Sequence, residues 1–185
     1  LHGARRMSGV VRTLMISPCS SHALRNWRAE RYAALADHSA ACGWRIVLCG
    51  GRSTLERETG DAILAAMRAR NGVLDLIGKD TLKQLPALLA RADLLVTPDS
   101  GPMHIANAMG TKVLGLHAAS NPLRSGPYSD VRYCVDKYDA AARKFLGKPA
   151  TELKWGTKIE FDDVMDLIGV DDAVAAFERY SVDRD

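Results

Sequence analysis

Residues 93–116 read DLLVTPDSGPMHIANAMGTKVLGL, and this stretch by itself predicts the class of the fold. Two apolar runs, 93–97 and 112–116, are typical of short strands buried on both faces of a parallel sheet. Between them, Pro102 suits the first position of a helix and Gly110 suits the residue after its end. The pattern predicts two parallel strands joined through a helix by a right-handed crossover.

The same alternation of strands and helices continues in both directions along the chain. Upstream, the predicted strands lie at 10–17, 45–49 and 73–77, and the predicted helices at 28–42, 53–70 and 82–91. Downstream, a loop at 117–130 precedes a helical stretch at 136–146, an irregular stretch at 147–160 and a last helix from Asp162 or Asp163 to about Tyr180. We therefore predict an α/β protein with a doubly wound, Rossmann-like parallel sheet.

Length and composition favour a single domain. The 185 residues are 47% hydrophobic and 25% charged, as in an ordinary globular domain. We divide the chain into a tail or linker at 1–9, a Rossmann-like domain at 10–135 and a C-terminal helical appendage of that domain at 136–185. Because the sequence starts at Leu1 and shows no signal peptide, we expect it to be part of a longer protein.

Charge and motif content argue against several classes of function. The net charge is +3 and the two signs are interleaved, so nucleic acid is not an expected partner. No apolar run reaches the roughly 18–20 residues of a membrane span. The motifs of P-loop enzymes, dinucleotide dehydrogenases and α/β-hydrolases are absent. The four cysteines lack metal-ligand spacing, which favours reduced thiols in a cytoplasmic protein and predicts no bound metal.

The loop after the first predicted strand has the chemistry of a phosphate site. Open α/β sheets bind ligands at the carboxyl ends of their strands. Here the residues 17–21 bring hydroxyls and backbone N–H groups ahead of Arg25, a combination that suits an anion. The same residues could instead form an ordinary serine-rich helix cap followed by a surface arginine.

The loop after the fourth predicted strand, at 97–104, is a second candidate. A helix that starts directly at the strand end points its N–H groups and its positive end into the crevice. Gly101 permits close approach of the backbone to a diphosphate. His104 could donate to a phosphate oxygen or interact with Asp99. The alternatives are a half-buried, internally bonded His104 and an Asp99 that only caps the helix.

A third loop brings Ser120, Asn121 and Arg124 into a turn rich in proline and glycine. Its length suggests a functional loop. A plain crossover connection is the alternative.

The motif D-S-G-x-x-H-x-A-x-A-x-G, from Asp99 to Gly110, is followed by K-V-L-G-L and by S-N-P at 120–122. This combination resembles glycosyltransferase family 9, the ADP-heptose:lipopolysaccharide heptosyltransferases and their relatives. The upstream S-P-x-S-S loop, R-N-W at 25–27 and Gly50-Gly51 agree with the family in order, so that the resemblance covers residues 10–130. It implies a GT-B architecture of two Rossmann-like domains facing a cleft, of which this chain resembles the C-terminal, nucleotide-sugar-binding one.

The resemblance also implies which residues bind the donor. It places the diphosphate against Ser20, Ser21, Arg25, Asp99, Ser100, Gly101 and His104, with Arg25 where the family usually has lysine. It places the nucleoside near Gly51, Glu56, Lys79, Asp80 and Thr81. Glu56 is the nearest acid to the position where the family holds the ribose, and an apolar residue would be more typical at 79–81.

The implied activity is inverting transfer of a sugar from a nucleoside diphosphate, such as ADP-heptose, to an acceptor hydroxyl. The expected acceptor is a lipid-linked or oligosaccharide molecule in lipopolysaccharide or cell-surface glycan synthesis, at the inner face of the cytoplasmic membrane. No cofactor and no essential metal are expected. The catalytic residues are unknown, because the general base is expected in an N-terminal domain outside this sequence, and the chain alone is expected to be inactive and to self-associate.

Two alternatives stay open from the sequence. The chain could be the C-terminal half of another GT-B enzyme, such as a nucleotide-sugar epimerase. It could also be a non-catalytic nucleotide-binding or assembly module.

Overall fold

The computed structural model describes residues 11–183, so the predicted tail at 1–9 lies outside the described residues. Within them, six strands form one sheet: β1 Thr13–Ile16, β2 Arg45–Leu48, β3 Leu74–Asp75, β4 Leu94–Pro98, β5 Lys112–His117 and β6 Val135–Asp136. Neighbouring strands are all parallel, in the order β3-β2-β1-β4-β5-β6. This is the doubly wound order, so the predicted fold class is confirmed.

In the described part of the chain, seven α-helices connect or follow these strands: α1 Ala29–Ala41, α2 Thr54–Ala66, α3 Leu85–Leu89, α4 Gly101–Ala108, α5 Pro122–Ser125, α6 Tyr138–Ala141 and α7 Val170–Asp183. A π-helical turn, Ala142–Leu146, extends α6. Short 3-10 turns lie at Ala23–Arg25, Val131–Tyr133, Ala150–Glu152 and Val164–Leu167. None of the helices within residues 11–183 is both long and apolar enough to cross a membrane.

The predicted start of the last helix, at Asp162 or Asp163, is wrong. Asp163 precedes only a 3-10 turn, and its side chain makes no capping hydrogen bond. The helix α7 begins at Val170 because the carboxylate of Asp172 accepts a hydrogen bond from the Gly169 N–H at 2.9 Å. An acid inside the first turn therefore defines the helix start, as in one half of a capping box.

The elements at the sheet edges differ from the predicted ones in length. The predicted strand at 73–77 is reduced to two residues, and the Asp75 carboxylate accepts from the Ile77 N–H at 3.1 Å directly after them. The predicted helix at 82–91 is reduced to five residues. The two-residue strand β6 at the opposite edge has too short an apolar run to be found from the sequence.

Both faces of the sheet are covered, as a parallel sheet requires. Leu14 and Ile16 of β1 point to the face packed by α1, α2 and α7. Met15 points to the opposite face, where α3 and α4 contribute Leu89 and Met103. Alternate residues of each strand thus belong to separate cores.

The C-terminal helix is part of the larger core. Phe177 of α7 packs edge-on against Trp44, with 5.1 Å between ring centroids. Tyr180 packs against Tyr133 at 5.3 Å, and its hydroxyl donates to the Asp93 carbonyl at 2.8 Å. The helix therefore covers the sheet instead of extending from it, while the proposed division at residue 135 stays a prediction.

Replacing Phe177 with alanine should lower the free energy of unfolding by about 3–5 kcal/mol, because the change leaves a cavity between α7 and the sheet. Chemical denaturation measures the loss. Val182→Ala on the same helix is the control, since Val182 is 74% exposed and should change stability by less than about 0.5 kcal/mol. Equal, small effects would show that α7 does not contribute to the core.

Candidate functional site

The carboxyl ends of β1 and β4 lie side by side where the strand order reverses. Ile16 is paired with Val96, and the Ser17 N–H donates to the Val96 carbonyl at 3.0 Å. The chain then leaves β1 towards α1 on one face and β4 towards α4 on the other. Connections that diverge in this way open a crevice at the strand ends, which is the usual ligand site of such sheets.

The helix α4 starts directly at this crevice without a side-chain cap. Ser100 is its N-cap, but the Ser100 Oγ lies 2.8 Å from the Thr97 Oγ1 instead of accepting from the helix. A Cβ atom built on Gly101 would contact nothing within 4 Å, so the backbone there faces open space. The first-turn N–H groups and the positive end of the helix dipole are therefore suited to an anion. His104 is exposed in this turn, so the half-buried alternative is wrong.

Asp99 is held by hydrogen bonds from other loops and does not cap α4. Its Oδ2 accepts from the Lys158 Nζ at 2.6 Å and from the Ser125 Oγ at 3.1 Å. Burial raises the pKa of Asp99, but the hydrogen bond and the charge of Lys158 outweigh burial, and the pKa lies below its ordinary value. Asp99 is therefore a charged carboxylate at the crevice.

The loop after β1 is a compact turn in which the serines do not cap α1. The Ser20 Oγ donates to the His22 carbonyl at 2.8 Å, and the Ser20 N–H donates to the Asn26 Oδ1 at 2.7 Å. Ser21 is exposed. Arg28 is the N-cap of α1 and makes no side-chain capping bond, so the alternative of a serine-rich cap is wrong.

Arg25 is not a free surface arginine either. It lies in the turn Ala23–Arg25, and its guanidinium contacts the Glu160 carboxylate at 2.7 Å. The Arg25 side chain is 16% exposed. The cation predicted to bind a phosphate is thus paired with a carboxylate in the structure.

The residues predicted for the nucleoside lie together beyond the end of β2. The Glu56 Oε1 accepts from the Gly51 N–H at 2.6 Å, and Glu56 forms a capping box with Ser53 at the start of α2. The Gly78 N–H donates to the Gly50 carbonyl at 2.9 Å, which joins the turn before Lys79, Asp80 and Thr81 to this loop. Lys79 and Thr81 are exposed, and Asp80 is half-buried.

The third candidate loop, after β5, contains one buried residue and two residues whose side chains contact the loop itself or a neighbouring segment. Ser120 is buried, and its Oγ lies 3.1 Å from the Nδ1 of buried His117. Asn121 accepts from the Leu123 N–H at 2.9 Å and so caps α5. The Arg124 side chain lies against Gly156. Asn121 and Arg124 thus have the contacts of a crossover connection.

Comparison with known proteins assigns the chain to a family. Residues 6–156 match the family model described as glycosyltransferase family 9 (heptosyltransferase). The chain belongs to this family. Its predicted resemblance is confirmed, and the alternative of a nucleotide-sugar epimerase is not supported.

Individual family members match over about half of their own length. The lipopolysaccharide core heptosyltransferase OpsX of Haemophilus influenzae is 38% identical over 168 residues, which are 91% of this chain and 48% of that protein. A glycosyltransferase family 9 structure from Veillonella parvula matches with a TM-score of 0.72 and 24% identity, over 96% of this chain and 48% of the other. The structure of Escherichia coli ADP-heptose lipopolysaccharide heptosyltransferase II gives 0.73 and 21%, over 97% and 49%. The chain thus covers about as many residues as one of the two Rossmann-like domains of a GT-B protein.

Three side chains near the crevice were not predicted from the sequence. Lys158 and Glu160 flank the fully buried Ile159, whose N–H donates to the Ala119 carbonyl at 2.8 Å. Alternation of charged, apolar and charged residues at 158–160 is the signal that could have located them. His117, at the end of β5, is the third.

His117 is buried with one ring nitrogen unbonded. Its Nε2 has no hydrogen-bond partner among residues 11–183. Burial lowers the pKa of His117 to about 4, against a smaller opposing effect of Asp99. The imidazole is therefore neutral at physiological pH. No group of three or more His, Cys, Asp or Glu side chains in the described part of the chain could hold a metal ion.

The buried His117 should make the protein less stable in acid. Because its pKa falls from 6.5 to about 4 on folding, the unfolded chain takes up the proton first as the pH falls. The stabilising contribution is complete above about pH 6.5 and is lost towards pH 4, with a total of about 3 kcal/mol. Urea titrations over this range should show a smaller loss for His117→Gln than for the unsubstituted chain.

His22→Gln is the matched control, since His22 is exposed. It should keep the pH dependence of the unsubstituted chain. The same pH dependence in both variants would contradict a buried, neutral His117.

Proposed function

We propose that this chain is the donor-binding half of a heptosyltransferase that transfers heptose from a nucleoside diphosphate to an acceptor in lipopolysaccharide core synthesis. The observation that carries the proposal is the uncapped start of α4 at the switch point of the sheet, in a chain of glycosyltransferase family 9. ADP-heptose is the proposed donor, because it stands in the name of the similar Escherichia coli enzyme.

The proposed diphosphate site lies between the loops after β1 and β4. The N–H groups at Ser100 and Gly101, the loop with Ser20 and Ser21, and the Arg25 guanidinium would contact the phosphate oxygens. Negative charge develops on the leaving diphosphate as the glycosidic bond breaks. Fixed N–H dipoles and a bidentate cation stabilise such charge without reorganising. Asp99 and His104 would then face the sugar.

The nucleoside would extend from this site towards the ends of β2 and β3. Gly51 permits the approach of the ribose, and Glu56 has carboxylate lone pairs beyond those that bind Gly51 and Ser53. Lys79, Asp80 and Thr81 would border the base. These five residues lie at one edge of the described structure, which supports a continuous binding path for the nucleoside.

The acceptor and the general base would come from a second domain. The chain spans about half the length of the Haemophilus influenzae relative that it matches. Two cavities, of about 300 and 210 Å³, are lined by residues that precede β4 and β5 or β1 and β2, at the amino end of the sheet. The crevice at the carboxyl end is open, which fits a site whose opposite wall is supplied by another domain. We therefore expect no heptose transfer by these residues alone.

Exposed apolar side chains support the proposal that another protein surface docks at the carboxyl end of the sheet. Leu24, Leu123 and Trp155 are exposed in the loop after β1, the loop after β5 and the segment before Lys158. Uncovered apolar patches favour association. The missing domain would cover this edge in the whole enzyme, and a second copy of the chain would do so in its absence.

Titration calorimetry with ADP, UDP and GDP tests the proposal. We expect the 185-residue chain to prefer ADP, and Arg25→Ala to weaken binding by roughly tenfold to a hundredfold, since a charge-assisted hydrogen bond is lost. Arg25→Lys should retain part of the affinity. Arg91→Ala is the control, because Arg91 is exposed at the amino end of the sheet. Equal effects of the two alanine variants, or no binding of any nucleotide, would favour a non-catalytic assembly module.

Glu160→Gln should strengthen ADP binding. The Glu160 carboxylate occupies Arg25 in the structure, so a diphosphate has to compete with it. The gain is up to roughly fivefold, the usual strength of a partly exposed ion pair. Glu152→Gln, at an exposed position of the same C-terminal part, removes the same charge and should leave the affinity unchanged. Weaker binding by Glu160→Gln would mean that Glu160 holds Arg25 in its binding position.

A further inference from the structure

The ion pair of Lys158 with Asp99 joins the C-terminal part of the chain to the start of α4. The two atoms, Lys158 Nζ and Asp99 Oδ2, are 2.6 Å apart. The side chains are 26% and 10% exposed, so the pair is shielded more than an ordinary surface pair. Its charges therefore interact more strongly than they would in open water.

The position of Lys158 is determined by the backbone on both sides of it. Ile159 is fully buried, and its N–H donates to the Ala119 carbonyl at 2.8 Å. The Thr157 carbonyl accepts from the Tyr138 hydroxyl at 2.8 Å. Because the segment is bound to the end of β5 and to α6, Lys158 loses less conformational freedom in the ion pair than a lysine on a mobile loop.

A diphosphate at the start of α4 would lie next to the negative charge of Asp99. Asp99 directly precedes Ser100 and Gly101, whose N–H groups are the proposed phosphate ligands. Like charges at such short range oppose binding. The side chains that face Asp99 besides Lys158 are Ser120, Ser125 and the neutral His117. Within residues 11–183, Lys158 is thus the cation that forms an ion pair with this carboxylate and offsets its charge.

We propose that Lys158 is a positioning residue of the donor site, which neutralises and orients Asp99 so that a nucleoside diphosphate can bind beside it. This inference rests on the proposed function and deepens it. Lys158 acts through Asp99 and not by touching the phosphates. The hydrogen bonds from Lys158 and Ser125 both go to the Asp99 Oδ2, and so they fix the orientation of the carboxylate.

A double-mutant cycle with ADP as the probe tests the inference. The variants of the 185-residue chain are Lys158→Met, Asp99→Asn and the double variant, with Lys158→Arg as the conservative replacement. Lys158→Met should weaken ADP binding by about tenfold, because it leaves an unpaired carboxylate near the phosphates. Asp99→Asn should bind ADP at least as tightly as the unsubstituted chain. The double variant should return to the affinity of Asp99→Asn, and Lys158→Arg should keep most of the affinity.

A second readout does not require nucleotide. Carboxylate NMR titration of the free protein should show the pKa of Asp99 rising in Lys158→Met, because burial is then unopposed by the ammonium group. Lys148→Met is the matched control, since Lys148 is exposed in the same C-terminal part. It should change neither the Asp99 titration nor the ADP affinity. A thermal melt of each variant shows that it is folded.

Two results would overturn the inference. If the double variant binds ADP as weakly as Lys158→Met, Lys158 contacts the phosphates itself. If Lys158→Met changes neither the Asp99 titration nor the affinity, the pair has no role in the site. Absence of ADP binding by the unsubstituted chain would count against the proposed function, and the Asp99 titration would then decide alone whether Lys158 controls the charge of this carboxylate.

Discussion

The parallel pairing of β1 with β4 is the constraint on which the rest of the structure depends. Leu14, Met15 and Ile16 lie beside Leu94, Leu95 and Val96 in register. Because these strands are neighbours but their connections leave on opposite faces, two loops distant in the sequence end at one crevice. The turn with Arg25 and the uncapped start of α4 each follow one of these two paired strands. The sheet, and not the loops' own sequences, determines that both loops lie at the carboxyl ends of neighbouring strands.

Two ion pairs balance the charge of that crevice. Arg25 is paired with Glu160, and Asp99 with Lys158. Both partners come from one short segment, which the buried Ile159 attaches to the end of β5. The segment after α6 is therefore joined by ion pairs to both loops, although it is remote from the family motif in the sequence. In the donor site that we propose, a diphosphate would meet one cation that has to change partner and another that stays with its carboxylate.

Much of the fold could be predicted, because it depends on local patterns. Short apolar runs predicted β1, β2, β4 and β5, and Pro102 with Gly110 predicted α4 to within one or two residues. The two-residue strands β3 and β6 and the start of α7 depend instead on side-chain bonds and on packing. The candidate site shows the same division: Arg25, Asp99 and the α4 start are candidates from the sequence, whereas the ion-pair partners Glu160 and Lys158 were not predicted.

The sequence by itself determined the alternation of strands and helices from β1 to β5 and membership of glycosyltransferase family 9, since both depend on residues close together along the chain. Only the tertiary structure decided which charges meet. Arg25 and Glu160 are 135 positions apart, and Asp99 and Lys158 are 59 apart. No periodicity carries information over such separations, because the path of the intervening chain determines where each charge arrives. The charge balance of the crevice is therefore a property of the folded sheet and of the segment that crosses its edge.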